Sequence, residues 1–443
     1  MPKLLLLVAF SVVFTVSAQA KLLKTTEFTL NNGMPVVVIE NHKAPIVKHM
    51  VWYKIGAADE AYGKGGVAHL LEHLMFRGTH GVSDGEFNRW MNELGAESNA
   101  FTGHDVTVYH QFADISKLEA LMALEADRMQ NLAFDKKAFE AEQKIVYQER
   151  KQVVENNPSS AFYERMNLLL WGNSPYGQPV TGQNDEIMAL TYEDARDFYT
   201  KYYAPNNAIL ILSGDIEPAL AKKLAEKYYG KLPLGQIEHI APEEVASSFA
   251  ETLEMALPDV KTPRAIWQYL LPNHESLQDA VYNYEVLAEY LGGGETSALY
   301  RDLVVEQQSA VTVTADFHYV TRGNGVFKFQ LIPDAKELTD KTLIQENMLA
   351  ALEDAIANLT EAKLEKVKRK MLADLVYVND NPNDAAYWVG YMMANGFSLE
   401  DVENYADKIK NVSLDGVQKA YENLLKAPVV FGLLLPENLK GNN

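Results

Sequence analysis

The chain of 443 residues contains no cysteine. That excludes a disulfide framework and any thiolate metal site, so stability has to come from a buried core. Basic residues are scarce beside acidic ones: 40 Lys and Arg against 60 Asp and Glu give a formal net charge of −20. Such a surface argues against nucleic acid or an anionic membrane as partner, because both demand basic patches. It suits cationic peptides, although an acidic surface serves solubility equally well. Long apolar runs are missing too. The stretch Leu4 to Val16, broken by Ser11 and Thr15, falls short of the roughly 20 residues of a membrane span. Preceded by Lys3 and followed by Ala18-Gln19-Ala20, it reads as a signal peptide over residues 1–20. Cleavage after Ala20 predicts export to a bacterial periplasm with no stable membrane anchor; an uncleaved anchor is the competing reading. No cysteine follows to take a lipid, and no His-rich tract suggests metal storage.

What the sequence does have is 47% hydrophobic residues, enough for a large core, and a length that suggests two or more domains. The stretch Gly65-Gly66-Val67-Ala68-His69-Leu70-Leu71-Glu72-His73-Leu74 carries the chemistry. On a helix His69 and His73, four apart, sit one above the other and can reach a single metal ion, for which zinc is best suited. Glu72 borders the same face and is placed to act on a water rather than on the metal. H-x-x-E-H is the inverted form of a zinc-protease motif. Alone, the pattern also fits two helix histidines beside a surface glutamate. It needs a third ligand, because catalytic zinc usually takes three protein ligands and keeps one position open.

The best donor lies in Phe134 to Arg150, which has no Gly or Pro and is amphipathic at helical spacing. Glu142 and Glu149 are seven apart, two turns along one face. Glu149 is the candidate ligand, and Glu142 is the candidate for orienting a ligand from behind. The alternative is a solvated charged face.

His69-x-x-Glu72-His73 followed by Glu149 closely resembles the pitrilysin/insulysin family of zinc metallopeptidases, in its processing-peptidase-like bacterial subgroup. The resemblance implies that His69, His73 and Glu149 hold one Zn2+ per chain. It also implies that Glu72 is general base in peptide hydrolysis by a zinc-activated water. It extends to Leu94 through Thr102, with Asp105, Thr107 and Tyr109, and to Tyr192 through Asn207 with Ser213-Gly214-Asp215. In the family, the segment matching Asn99, Ala100 and Phe101 is a sheet edge that pairs with an extended substrate, a form of β-augmentation. Without the resemblance, a plain loop-to-strand transition explains it as well. His49, His104 and His110 read as structural.

Strand signals flank the Asn31-Asn32-Gly33 turn, and Ile46 to Ile55 is a third β-rich run before the histidine helix. A continuous apolar strand covers Ala208 to Gly214, and a Pro- and Glu-rich stretch follows Leu232. The expected division is a zinc-bearing α+β domain over 21–235, a linker over 236–250, and a second α+β domain over 251–443 without a metal site. The halves repeat at low identity. Thr191-x7-Tyr199, Ala204-Pro205 and a strand parallel Ser413-x7-Tyr421, Ala427-Pro428 and Val429 to Leu435. The expected fold class is α+β: two similar halves, each a mostly antiparallel sheet covered by helices, forming a clamp.

One departure stands out. Active members of the family follow a Gly-rich loop and helix with an Arg and, seven residues on, a Tyr near the substrate carbonyl. After Leu291 to Tyr300 those positions fall on Val304 and Val311, which cannot donate a hydrogen bond; Arg301 is one turn out of place. A related partner subunit supplying the Arg/Tyr pair is therefore expected, making this chain the catalytic subunit of a heterodimer that cleaves peptides or small unfolded proteins. The rivals are a chain working alone or as a homodimer, and a non-catalytic binding or assembly subunit of the same family.

Overall fold

The computed structural model describes residues 23–154, 157–239, 249–334 and 341–439. The expected signal peptide and most of the expected linker lie outside the described residues.

Among the described residues, eleven strands form two sheets. In the first half these are β1 (Thr25–Thr29), β2 (Pro35–Glu40), β3 (Ile46–Tyr53), β4 (Glu97–Thr102), β5 (Thr107–Asp114) and β6 (Ala208–Gly214), in the order β1-β2-β6-β3-β5-β4. The Asn31–Gly33 turn joins β1 to β2, with Gly33 at φ +79°, as a tight hairpin requires. The second half contributes β7 (Ala250–Leu257), β8 (Arg264–Leu271), β9 (Ala310–His318), β10 (Gly325–Pro333) and β11 (Val429–Pro436), in the order β7-β11-β8-β10-β9. In each sheet one parallel pair, β2 with β6 and β7 with β11, interrupts an otherwise antiparallel arrangement. The uninterrupted apolar sequence of β6 follows from its place, since it lies mid-sheet and is covered on both faces.

The helices repeat in the same order. In the first half α1 (Val67–Leu74) follows β3; α2 (Lys136–Val154) and α3 (Pro158–Trp171) follow β5; α4 (Tyr192–Tyr202) runs into β6. In the second, α5 (Ala280–Gly292) follows β8; α6 (Glu361–Asp380) and α7 (Pro382–Ala394) follow β10; α8 (Leu414–Leu424) runs into β11. Thr191 caps α4 through the Asp194 N–H and Ser413 caps α8 through the Gly416 N–H, so the repeated spacing in the sequence is a repeated cap-helix-strand unit. The two similar helix-covered halves agree with the fold class expected from the sequence.

The halves also exchange a helix. α3 lies on β7 and β11 of the second sheet, and α7 lies on β3 and β6 of the first. Each contact has a glycine where no side chain fits. A Cβ at Gly432 would lie 2.0 Å from Met166 Sδ, and one at Gly390 would lie 2.2 Å from the Trp52 indole. One apolar core therefore contains Met50, Trp52 and Ile209 of the first sheet together with Ala386 and Val389 of α7. A polar clasp adds to it. Arg322 bonds to both oxygens of Asp59 (2.5 and 3.1 Å) and to Asp105 (2.9 Å), with Thr321 and Tyr176 also donating to Asp105. Asp59 precedes α1 and Asp105 follows β4, so the clasp holds the second half against the elements that build the site.

Candidate metal centre

α1 is positioned by its first turn. Gly66 takes φ +88°, and a Cβ there would lie 2.6 Å from Thr181 O, so only glycine fits. The Glu60 carboxylate accepts the N–H groups of Gly66 (2.9 Å) and Ala68 (2.8 Å), satisfying donors that a helix start leaves free. Val67, Ala68, Leu70, Leu71 and Leu74 are buried, which leaves His69, Glu72 and His73 together on the half-buried face. The two rings meet edge to face with centroids 4.9 Å apart.

α2 lies across this face. Its Gln143 donates to the carbonyls of Ile187 and Leu190, and Arg150 forms a two-pronged pair with Glu164 of α3. These anchors place Glu149 Oε2 at 3.4 Å from His73 Nε2 and 4.0 Å from His69 Nε2. One donor atom from each of His69, His73 and Glu149 lies within 4.8 Å of the others. Two turns earlier Glu142 is buried, accepts from His73 Nδ1 (3.1 Å), and is held by Arg77 Nε (2.5 Å). A carboxylate on Nδ1 fixes the His73 tautomer so that the Nε2 lone pair faces Glu149. Among the described residues His69 Nδ1 is buried without a hydrogen-bond partner, so no second carboxylate orients that ring as Glu142 orients His73.

The electrostatics match the geometry. Burial, with the neighbouring His73, pushes the His69 pKa down to about 4, so its imidazole is neutral. Burial also pulls His73 down, but the Glu142 hydrogen bond and nearby carboxylates outweigh it and leave its pKa raised. Glu72 is raised by burial, against the hydrogen bond from Thr102 and the charge of His73. Thr102 Oγ1 donates to Glu72 Oε2 at 2.5 Å, so the last residue of β4 touches the carboxylate.

β4 has β5 on one side and, among the described residues, no strand on the other. Asn99, Ala100 and Phe101 are on this edge, opposite His110, Tyr109 and Val108. Ala100 packs on the α1 side of the sheet, whereas Phe101 faces away, against Trp52 and Tyr387 of α7. Asn99 Oδ1 accepts the Ala100 N–H. His49, His104 and His110 bond to Gln111, to Gln178 O and to Lys48. Val304 is half-buried in a π-helical turn over Tyr300–Glu306, and Val311 is 59% exposed on β9.

Sequence reasoning did not single out Thr102, Arg77 or Glu60. Arg77 stands four residues after His73 but three past the end of α1, so helical phase does not place it. Thr102 and Glu60 depend on chain segments meeting in space. A second group, Glu40, His42 and Glu217, also brings donors together, but Lys24 holds Glu40 and Asp215 holds His42.

Two imidazoles and one carboxylate around a half-open position match the usual donor set of catalytic zinc. Comparison with known proteins places the chain in a family. Residues 35–184 match the insulinase family, peptidase family M16, and residues 189–371 match the peptidase M16 inactive domain. The chain belongs to peptidase family M16, the pitrilysin/insulysin family. It is 27% identical to the zinc protease PqqE of Helicobacter pylori over 94% of each chain. It is 28% identical to the probable mitochondrial-processing peptidase subunit beta of Schizosaccharomyces pombe, over 56% of this chain and 51% of that one. The crystal structure of a protease from Helicobacter pylori matches 94% of this chain and 100% of its own, with TM-score 0.85 and 26% identity. The first half of the periplasmic protease PqqL of Escherichia coli shares the fold, with TM-score 0.79 and 18% identity over 94% of this chain and 92% of that one.

Proposed function

We propose that the chain is a zinc-dependent endopeptidase in which His69, His73 and Glu149 hold the metal and Glu72 is the general base. The observation that carries this reading is the meeting of the two Nε2 atoms with Glu149 beside a half-buried Glu72. Zinc, when bound, supplies a positive charge that lowers the pKa of water and polarises a peptide carbonyl. Glu72, its pKa raised and its Oε2 held by Thr102, takes the proton of the attacking water and returns it to the leaving amine. Glu142 and Arg77 keep the His73 ring in place. The outer edge of β4 at Asn99, Ala100 and Phe101 pairs with an extended peptide, reading backbone rather than side chains.

Oxyanion donors come from a related partner subunit in this reading, since Val304 and Val311 have none to offer. Losing such a donor costs about 3–4 kcal/mol of transition-state stabilisation. Residues 1–20 direct export to the periplasm. The same two valines favour one second reading, a non-catalytic assembly subunit.

The test is peptide hydrolysis by the purified chain from Lys21 onward, with Glu72→Gln as control and zinc measured in both. Turnover that falls about 10²–10⁴-fold in the variant with zinc retained supports Glu72 as base. Zinc without turnover in either protein points to the missing partner, and absence of zinc removes the reading.

A further inference from the structure

The cleft between α5 and α6 has the same place in the second half that the metal-ligand cleft between α1 and α2 has in the first. Its side chains carry the opposite charge. Lys363, Lys366 and Lys370 recur at helical spacing on one face of α6, and with Arg301 they line a cavity of about 120 Å³. Lys370 is already committed: it pairs with Glu289, the carboxylate of that wall, and donates to Gly293 O (2.6 Å), fastening the Gly-rich loop. Arg301, Lys363 and Lys366 make no side-chain ion pair or hydrogen bond among the described residues. Ser297, 5% exposed, lines the same cavity, and among the described residues its Oγ is buried without a partner.

The remaining wall is apolar. Tyr290 spends its hydroxyl on Ala355 O (2.8 Å) and presents its ring beside Ala298 and Val367. An adjoining cavity of about 230 Å³ shares Arg301 and Lys363 but is also lined by Asp302, Glu306 and Asp354, which balance the charge there. The unbalanced excess belongs to the first cavity. Unpaired cations held together repel one another, and on a chain of net charge −20 their grouping along one wall of a cleft marks where an anion would be stabilised.

We propose that this cleft binds a small carboxylate with an apolar body. The carboxylate meets Arg301, Lys363, Lys366 and the Ser297 hydroxyl, and the body covers Tyr290, Ala298 and Val367. Inorganic phosphate, hydrated on every side, would leave the apolar wall unused. A peptide's C-terminal residue and a free aliphatic acid present the same chemistry.

Calorimetric titration of the full mature chain with hexanoate, its neutral isostere hexanamide and inorganic phosphate tests this. Hexanoate is expected to bind at least tenfold more tightly than the other two. Arg301→Gln and the pair Lys363→Gln/Lys366→Gln should each weaken it at least fivefold, and Lys363→Arg/Lys366→Arg should retain it. Zinc content is expected to stay unchanged in all of them. No binding, equal binding of hexanamide, tighter binding of phosphate, or indifference to the glutamine variants would overturn the proposal. A short leucine-terminated peptide with a free or an amidated C-terminus then separates the sources. Tighter binding of the free peptide than of hexanoate assigns the cleft to peptide termini, and weaker binding assigns it to free acids.

Discussion

In the first half, two helices set His69, Glu72 and His73 under Glu142 and Glu149; in the second, the equivalent pair sets Glu289 under Lys363, Lys366 and Lys370. Apart from the extra edge strand β1, the backbone is the same arrangement twice, down to the strand order and the capped helix that leads into each buried strand. One cleft gathers donors for a cation and the other gathers cations. Fold alone therefore assigns no chemistry here. A few side chains on facing helix surfaces decide it, and the scaffold tolerates either sign because both clefts open to solvent rather than into the core.

The halves differ in chemistry but are joined in packing, and the clasp at Arg322 should show it most strongly. Arg322→Ala leaves the carboxylates of Asp59 and Asp105 buried without their cation, which is expected to cost about 3–5 kcal/mol in urea unfolding. A loss below about 1 kcal/mol would mean that the halves hold together without it.

Glu285 on α5 gives the second half a pH signature of its own. Burial raises its pKa to about 7, against the hydrogen bonds from Tyr405 and Tyr319. Because the folded pKa lies above the ordinary value of 4.5, the folded state keeps a proton that the unfolded chain has lost. Its contribution is intact below about pH 4.5 and fades as pH rises to about 7, by up to about 3 kcal/mol. Glu285→Gln should flatten that slope in stability measured from pH 4.5 to 8. An unchanged slope would place the titration elsewhere.

Glu142→Gln tests whether the support behind His73 matters. Zinc affinity is expected to fall about 10- to 100-fold, measured by competition with a chelator, while the unfolding midpoint of the metal-free protein moves little. Equal affinity would leave Glu142 as a partner of Arg77 only. The smallest effect belongs to the exchanged helix. Gly390→Ala gains about 1 kcal/mol of helix propensity but forces a methyl against Trp52, at about 1–3 kcal/mol, for a net loss near 1 kcal/mol in thermal unfolding. A stabilised variant would show that α7 can shift on β3.

Much of the site was legible before any coordinates. His69, Glu72 and His73 are local, since helical spacing fixes which face they share, and the seven-residue interval does the same for Glu142 and Glu149. The hairpin at Gly33 and the strand over Ala208 to Gly214 were readable for the same reason. What escaped were contacts between distant segments: Thr102 on Glu72, Glu60 on the start of α1, and Arg322 on Asp59. No periodicity records which loop will meet which helix.

The sequence by itself determined the α+β class, the duplicated halves and the two donor-bearing helix faces, because these rest on propensity, spacing and turn chemistry within short stretches. Only the tertiary structure decided that α3 and α7 cross to the opposite sheet, that β4 stands at an edge beside the donors, and that lysines meet a Gly-rich loop where the other half meets histidines. Those outcomes depend on packing between segments tens to hundreds of residues apart, where shape and buried area settle the arrangement and local pattern does not.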